Sequence, residues 1–209
     1  MCEIGSGHAR NLVHFKAQGH TTLGVDPDPK AIAQAAAENG IEVLPGTGED
    51  LPERVRAGGF DLVIMSHSLE HCIDPALAVR NVRSILKPGG RFVCEVPNSG
   101  CEHFLRNTIC SEMFDAPRHL HFYNVESLRK SIEDAGMSVA AVQYTGFTRH
   151  HSPGWRLTEQ RIREQLEKAG GACPPKHTFM QSVLLWLATF KAPDARKYDS
   201  VRMVAARSP

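Results

Sequence analysis

"CEIGSGHAR", residues 2–10, sets a glutamate two positions ahead of a Gly-Ser-Gly turn, where a buried strand ordinarily carries a hydrocarbon. The stretch reads as a short strand running into a tight turn and then a helix, with Leu12 and Phe15 at helical spacing over residues 8–18. Downstream, "TTLGVD" is a β-rich run ending on Asp26. In "DPDPKAIAQAAAENG", Asp28 is placed to cap a helix, Pro29 suits its first position and Gly40 suits its end. "IEVL" (41–44) is a third strand and "FDLVIMS" (60–66) a fourth. A helix from Pro75 to Leu86 would present Ala78, Val82, Ile85 and Leu86 on one face. "KPGG" is expected to turn the chain into "RFVCEVP", the fifth strand. Asn124 is placed to cap "VESLRKSIEDAG", ahead of a sixth strand at 137–144 and a seventh, "SVRMVAAR", near the C-terminus. Alternation at this spacing predicts an α/β fold: a doubly wound, mostly parallel seven-stranded sheet with helices on both faces.

Residues 148–198 break the rhythm. Leu157, Ile162 and Leu166 form an apolar stripe among charges, and "HTFMQSVLLWLATFKAPDA" is strongly apolar, so two helices are expected before the last strand. The insertion is either padding at the sheet edge or a lid or substrate wall, within a single domain spanning 1–209. Trp155, Phe179 and Trp186 in it could line a pocket for an aromatic acceptor, but packing accounts for them better. The basic run at His150, His151 and Arg149, with Arg156, reads as a solvated face.

The formal net charge is +1, so no global field draws the chain to nucleic acid or to an anionic membrane. The apolar run "VLLWLATF" (183–190) is far too short to span a bilayer, and a basic segment followed by an apolar core is missing from the N-terminus, which points to a cytoplasmic protein. Six scattered cysteines without a C-x-x-C pair read as reduced thiols, not as a zinc site or a disulfide framework.

The opening glutamate then takes on meaning. In open parallel sheets, ligands bind beyond the carboxyl ends of the strands, usually at the first strand-to-helix turn. Gly5 and Gly7 would let a ligand approach the backbone, but a dinucleotide fingerprint needs a third glycine where Arg10 stands. A carboxylate at Glu3 would repel a pyrophosphate and attract a cation. S-adenosylmethionine has a sulfonium and an ammonium and no phosphate, so it suits Glu3 better than NAD does. Asp26, at the end of the second strand, occupies the usual place of a carboxylate that accepts from ribose hydroxyls.

Together, "CEIGSGHA", "GVDPDP", "GTGEDLP", "FDLVIMSHSLEHCIDP", "LKPGGRFVCEVPN" and "PRHLHFYNVESLRKSIEDAGM" follow an order and spacing that resembles the class I S-adenosylmethionine-dependent methyltransferases. The likeness is strongest to the small-molecule branch that includes ubiquinone-type O-methyltransferases. It covers about residues 1–146 and the last strand, and implies a Rossmann-like methyltransferase fold. By this resemblance Glu3, Gly5 and Gly7 wrap the methionine end of the cofactor, Asp26 holds the ribose, and Pro27 packs on the adenine. Thr47 and Gly48 would read the adenine edge; the family often has aspartate where Thr47 stands, with Glu49 or Asp50 as substitutes. Ser66 would contact the methionine amino group. The family usually has a helix upstream of the first strand; here that strand begins at Met1, so the start is misassigned or the lid comes from 148–198 or a second subunit of a homodimer.

Methyl transfer is an in-line displacement in which alignment supplies most of the acceleration, and a base is needed only when the acceptor must lose a proton. His119, His67 and His71 follow strands at their carboxyl ends, and imidazole titrates near neutrality. His119 is the first choice, His71 is better read as orienting its loop, and His121 alternates with His119 as a structural or exposed residue. A metal site from "HSLEH" (67–71) plus "HLH" (119–121), with Glu70 near, is the alternative, but His67 and His71 at i, i+4 without an H-E-x-x-H pattern make a weak motif, and no metal is assigned. The expected function is therefore methyl transfer to an oxygen or nitrogen of a small-molecule acceptor. The rivals are a non-catalytic cofactor-binding subunit and an NAD(P)-dependent reductase.

Overall fold

A computed structural model describes residues 1–147, 153–174 and 179–207 of the chain. The strands are β1 (Cys2–Ile4), β2 (Leu23–Asp26), β3 (Val43–Pro45), β4 (Phe60–Ser66), β5 (Leu86–Pro97), β6 (Met137–Thr145) and β7 (Ser200–Arg207). They form one seven-stranded sheet in the order β3-β2-β1-β4-β5-β7-β6. The pairs β1/β2, β2/β3, β1/β4 and β4/β5 are all parallel. The chain winds outward from β1 to β3 and then returns to lay β4 on the other side of β1. That reversal puts a topological switch point between β1 and β4, the place at which ligands bind in open sheets of this kind.

Local chemistry accounts for the helices between the strands. α1 (Arg10–Ala17) buries Leu12. α2 (Pro29–Asn39) starts on Asp28, whose side chain accepts from the Lys30 N–H, has proline in its first turn, and ends on Gly40 at φ 60°. Ala9, Leu12, Ala35, Ile41 and Val43 pack into one apolar cluster beneath these two helices. α3 (Glu53–Arg56) is a single turn. α4 (Pro75–Ile85) is capped by Asp74 and buries Ala78, Val79, Val82 and Ile85; Leu86, expected on the same helical face, instead opens β5. α6 (Val125–Asp134) follows Asn124 directly and buries Leu128 and Ile132.

The fifth strand corrects the sequence reading. Leu86 pairs with Phe60 and Arg91 with Leu62, so "KPGG" lies inside β5 as a wide bulge opposite Asp61, not ahead of the strand. Lys87 grips Asp61 at 2.7 Å, and Gly89 takes φ 75°, a conformation open to glycine. β3 also begins two residues later than expected.

The chain divides into two compact units. The first contains Met1–Val96, Ser127–Val142 and Arg202–Pro209; the second contains Pro97–Glu126 and Gln143–Val201. The second unit includes α5 (Glu102–Asn107), α7 (Pro153–Lys168), α8 (Phe179–Lys191) and α9 (Asp194–Lys197). The two expected inserted helices correspond to α7 and α8, whereas α5 and α9 are too short to leave a periodic signal. Fully buried Asn98 ties this unit together: its N–H donates to Asp199 O, and its side-chain amide donates to the carbonyls of Ala195 and Tyr198. Among the described residues, no helix is long and apolar enough to cross a membrane.

Candidate cofactor site and catalytic residues

The site grows from the end of β1. Glu3 is 2% exposed, and its Oε1 accepts from Asn11 Nδ2 at 2.6 Å. Its Oε2 is buried without a hydrogen-bond partner, as is Ser6 Oγ. Burial pushes the Glu3 carboxyl up to about 7, with the Asn11 bond acting in the opposite direction. A buried carboxyl oxygen with no donor is costly unless something else supplies one.

The backbone around Glu3 is shaped for a close neighbour. Gly5 takes φ 72°, and a Cβ there would lie 2.4 Å from Ser68 Cβ, so neither the conformation nor the space admits a side chain. Gly7 takes φ 50°, and a Cβ there would point into open space. Its N–H donates to Asp26 Oδ2 at 2.7 Å, while Asp28 N–H donates to Asp26 Oδ1 at 2.9 Å. Asp26 is thereby held as an acceptor at the tip of β2, and each oxygen retains a second lone pair. Pro27 beside it is exposed.

The segment after β3 is more committed to structure than its sequence suggested. Thr47 Oγ1 accepts from the Asp50 N–H at 3.0 Å. Gly48 is buried, its carbonyl accepts from Asn81 Nδ2, and a Cβ would meet Ala78 at 2.9 Å. Glu49 Oε1 accepts from the N–H groups of Ile73 and Asp74 at 2.6 and 3.2 Å. That carboxylate organises the entry to α4. Asp50 instead pairs with Arg56.

After β4, Ser66 lies opposite Glu95 in the β4/β5 ladder. His67 takes φ 51°, unusual for a residue with a Cβ, and its N–H donates to Glu95 O at 2.8 Å. Its ring lies between two carboxylates: Nδ1 is 3.5 Å from Glu70, and Nε2 is 3.8 Å from Glu95. Glu95 is also gripped by Arg202, at 2.7 Å from Nε and 2.5 Å from Nη2. Donation to the Glu70 carboxylate and then to that of Glu95 pushes the imidazole up to about 9, so His67 is an imidazolium at neutral pH. In that form it cannot accept a proton. His71 is exposed on the 3-10 turn Leu69–His71.

His119 belongs to the second unit. Its Nδ1 lies 2.8 Å from the carbonyl of Met113. A carbonyl only accepts, so the proton sits on Nδ1, and in the neutral ring Nε2 is the basic nitrogen. Asp115 Oδ2, which also pairs with Arg118, lies 3.9 Å from that nitrogen. In the same unit Phe122 stacks on Phe114 at 5.1 Å between ring centroids and packs on Phe104 at 5.7 Å. Trp186, expected to serve packing, is 46% exposed, while the side chains of Trp155 and Phe179 lie outside the described residues, as does the basic run at 149–151.

Sequence reasoning missed Asn11, Ser68, Glu70 as a partner of His67, Glu95 and Arg202. Ser68, Glu95 and Arg202 act through contacts between segments far apart in the sequence, Asn11 and Glu70 reach partners eight and three residues away, and no motif marks any of them.

A strand-order reversal beside a buried acid and a glycine turn belongs to the class of open α/β sheets that bind nucleotides and nucleosides at the first strand-to-helix turn. The comparisons agree with that class. A family model described as a methyltransferase domain matches residues 1–142, and the chain belongs to that family, within class I of the S-adenosylmethionine-dependent methyltransferases. It is 34% identical over 149 residues to a ubiquinone biosynthesis O-methyltransferase of Methylobacterium nodulans; the match covers 66% of this chain and 59% of that protein, so the chain spans less than two thirds of its relative. Among solved structures, an S-adenosylmethionine-dependent methyltransferase of Thermotoga maritima shares the fold with a TM-score of 0.64 at 20% identity, over 99% of this chain and 81% of that one. The 1,6-didemethyltoxoflavin-N1-methyltransferase of Burkholderia thailandensis, solved with S-adenosylhomocysteine, has a TM-score of 0.56 at 16% identity, over 100% of this chain and 70% of that one.

Proposed function

We propose that the chain binds S-adenosylmethionine at the end of β1 and catalyses methyl transfer to an oxygen or nitrogen of a small-molecule acceptor. The carrying observation is Glu3, a buried acid whose Oε2 has no donor beneath a glycine turn open to a ligand. When bound, the cofactor supplies a methyl group on a sulfonium, ready for in-line displacement. Glu3 provides negative charge toward its cationic end, and Asp26 offers lone pairs to the ribose hydroxyls. Gly5, Gly7, Pro27, Thr47, Gly48 and Ser66 are assigned the surrounding contacts, while Glu49 acts by fixing the start of α4.

His119 is assigned the acceptor's proton, because Met113 O fixes the tautomer that leaves Nε2 basic. His67 is assigned a charge-balancing role between Glu70 and Glu95, and His71 an orienting one. The segment 148–198 is assigned the role of a lid or substrate wall within one working domain. A ubiquinone-like phenol is the first acceptor class to try, since a relative is named for ubiquinone biosynthesis. The reading places the protein in the cytoplasm without nucleic-acid partners, alone or as a homodimer.

The test is release of S-adenosylhomocysteine during incubation with S-adenosylmethionine and a panel of phenols and amines. Release that depends on one acceptor class supports the reading. Firm cofactor binding with no release across the panel supports the non-catalytic subunit instead.

A further inference from the structure

Two cysteines in the second unit lie together although the sequence separates them widely. Cys110 ends the 3-10 turn Thr108–Cys110 and is 1% exposed. Cys173 lies in the stretch after α7 and is half-buried. Both adjoin α7: the Cys173 Sγ donates to the carbonyl of Arg163 in that helix at 3.8 Å, α7 packs on the 3-10 turn that carries Cys110, and the Cys173 thiol lies near enough to perturb the Cys110 thiol.

The stretch bearing Cys173 is held in place by several bonds. Gly171 N–H donates to Leu166 O at 2.8 Å, closing the end of α7. The buried Arg163 guanidinium donates to Pro174 O, and Cys173 Sγ donates to Arg163 O at 3.8 Å. Cys173 is therefore presented to Cys110 by a fixed turn.

The other cysteines lack this combination of a neighbouring thiol and an exposed one. Cys2, Cys72, Cys94 and Cys101 are all buried. Cys72 donates to Ser68 O at 3.6 Å, and Cys101 accepts from Phe104 N–H at 3.4 Å as the cap of α5. Cys72 and Cys94 are near each other, but neither is open to solvent.

We propose that Cys110 and Cys173 are a modification site that closes to a reversible disulfide when a low-molecular-weight disulfide such as oxidised glutathione is the oxidant. The half-buried Cys173 thiolate attacks the oxidant's disulfide, releasing one glutathione thiolate and leaving a mixed disulfide. Cys110 then gives up its proton, its sulfur attacks the Cys173 sulfur, and the second glutathione leaves as a thiol. Two protein thiols are oxidised, and one glutathione disulfide is reduced to two thiols. Burial, and secondarily the Cys173 thiol, push Cys110 up to about 11, which suits the second, intramolecular step better than the first. The bond would close a long loop and stabilise the oxidised fold.

The test incubates the reduced full chain with oxidised glutathione, alkylates the remaining thiols and measures intact and tryptic masses. The expected product has lost two hydrogens and two alkylation sites, joins peptide 107–118 to peptide 169–176, and melts several degrees higher than the reduced chain. Cys110→Ser and Cys173→Ser should each abolish the cross-link and the melting shift. A glutathione adduct that persists on Cys173, a Cys72–Cys94 cross-link, or no reaction would overturn the proposal. None of these readouts depends on methyl transfer, so this inference and the proposed function stand or fall separately.

Discussion

Gly7 and Asp26 are joined by a 2.7 Å hydrogen bond from the glycine N–H to Oδ2, linking the turn after β1 to the tip of β2. One carboxylate thus shapes the turn and, under the proposed function, also accepts from the ribose hydroxyls. Asp26→Ala removes both roles. S-adenosylhomocysteine affinity should fall by about 3 kcal/mol, on the order of 100-fold, in calorimetric titration. An unchanged affinity would mean that the acid serves only the turn.

Glu3 should make both stability and cofactor binding depend on pH. Its carboxyl is raised from the ordinary 4.5 to about 7, so the folded chain favours the neutral form. Its stabilising contribution is whole below about pH 4.5 and is lost as the pH climbs through 7. Glu3→Gln should therefore raise unfolding stability at pH 8 by up to about 3 kcal/mol and leave it nearly unchanged at pH 4. Binding moves the other way. Wild-type affinity for S-adenosylhomocysteine should rise from pH 6 to pH 8 relative to Glu3→Gln, whose own profile subtracts the titration of the ligand.

His67 should matter to the fold more than to the chemistry. Its imidazole is raised from 6.5 to about 9, so its contribution is full below pH 6.5 and is lost as the pH rises through 9. The ring is 38% exposed, and solvent screens part of the effect. His67→Ala should lower stability at pH 7 by about 1 kcal/mol in urea titration, with the gap closing above pH 9. A pH-independent loss would point to packing alone.

His119→Ala should lower turnover on the order of 100-fold or more and leave S-adenosylhomocysteine affinity intact. His119→Gln, which can still donate a hydrogen bond, should not restore the rate. Full activity in either variant would remove His119 from the proton's path.

The legible parts of the fold are those governed by local chemistry. "FDLVIMS" is β4 residue for residue, because five apolar residues, four of them consecutive, between turn signals leave little choice. The Asp28, Pro29 and Gly40 signals bound α2 correctly because caps act within one turn. "KPGG" misled because a turn signal is the same whether it precedes a strand or bulges within one; only pairing with Phe60 and Leu62 distinguishes the two. The strands and turns carrying Glu3, Gly5, Gly7 and Asp26 could be placed from the sequence. The engagement of Glu49 with Ile73 and Asp74, and the enclosure of His67 between Glu70 and Glu95, depend on residues brought together by the tertiary fold.

The most direct measurement of the central claim is calorimetric titration of one preparation with S-adenosylhomocysteine and, separately, with NAD. Saturable heat with the first and none with the second is the predicted result, since the buried acid at residue 3 disfavours a pyrophosphate. Tight NAD binding, with no response to S-adenosylhomocysteine, would contradict the account.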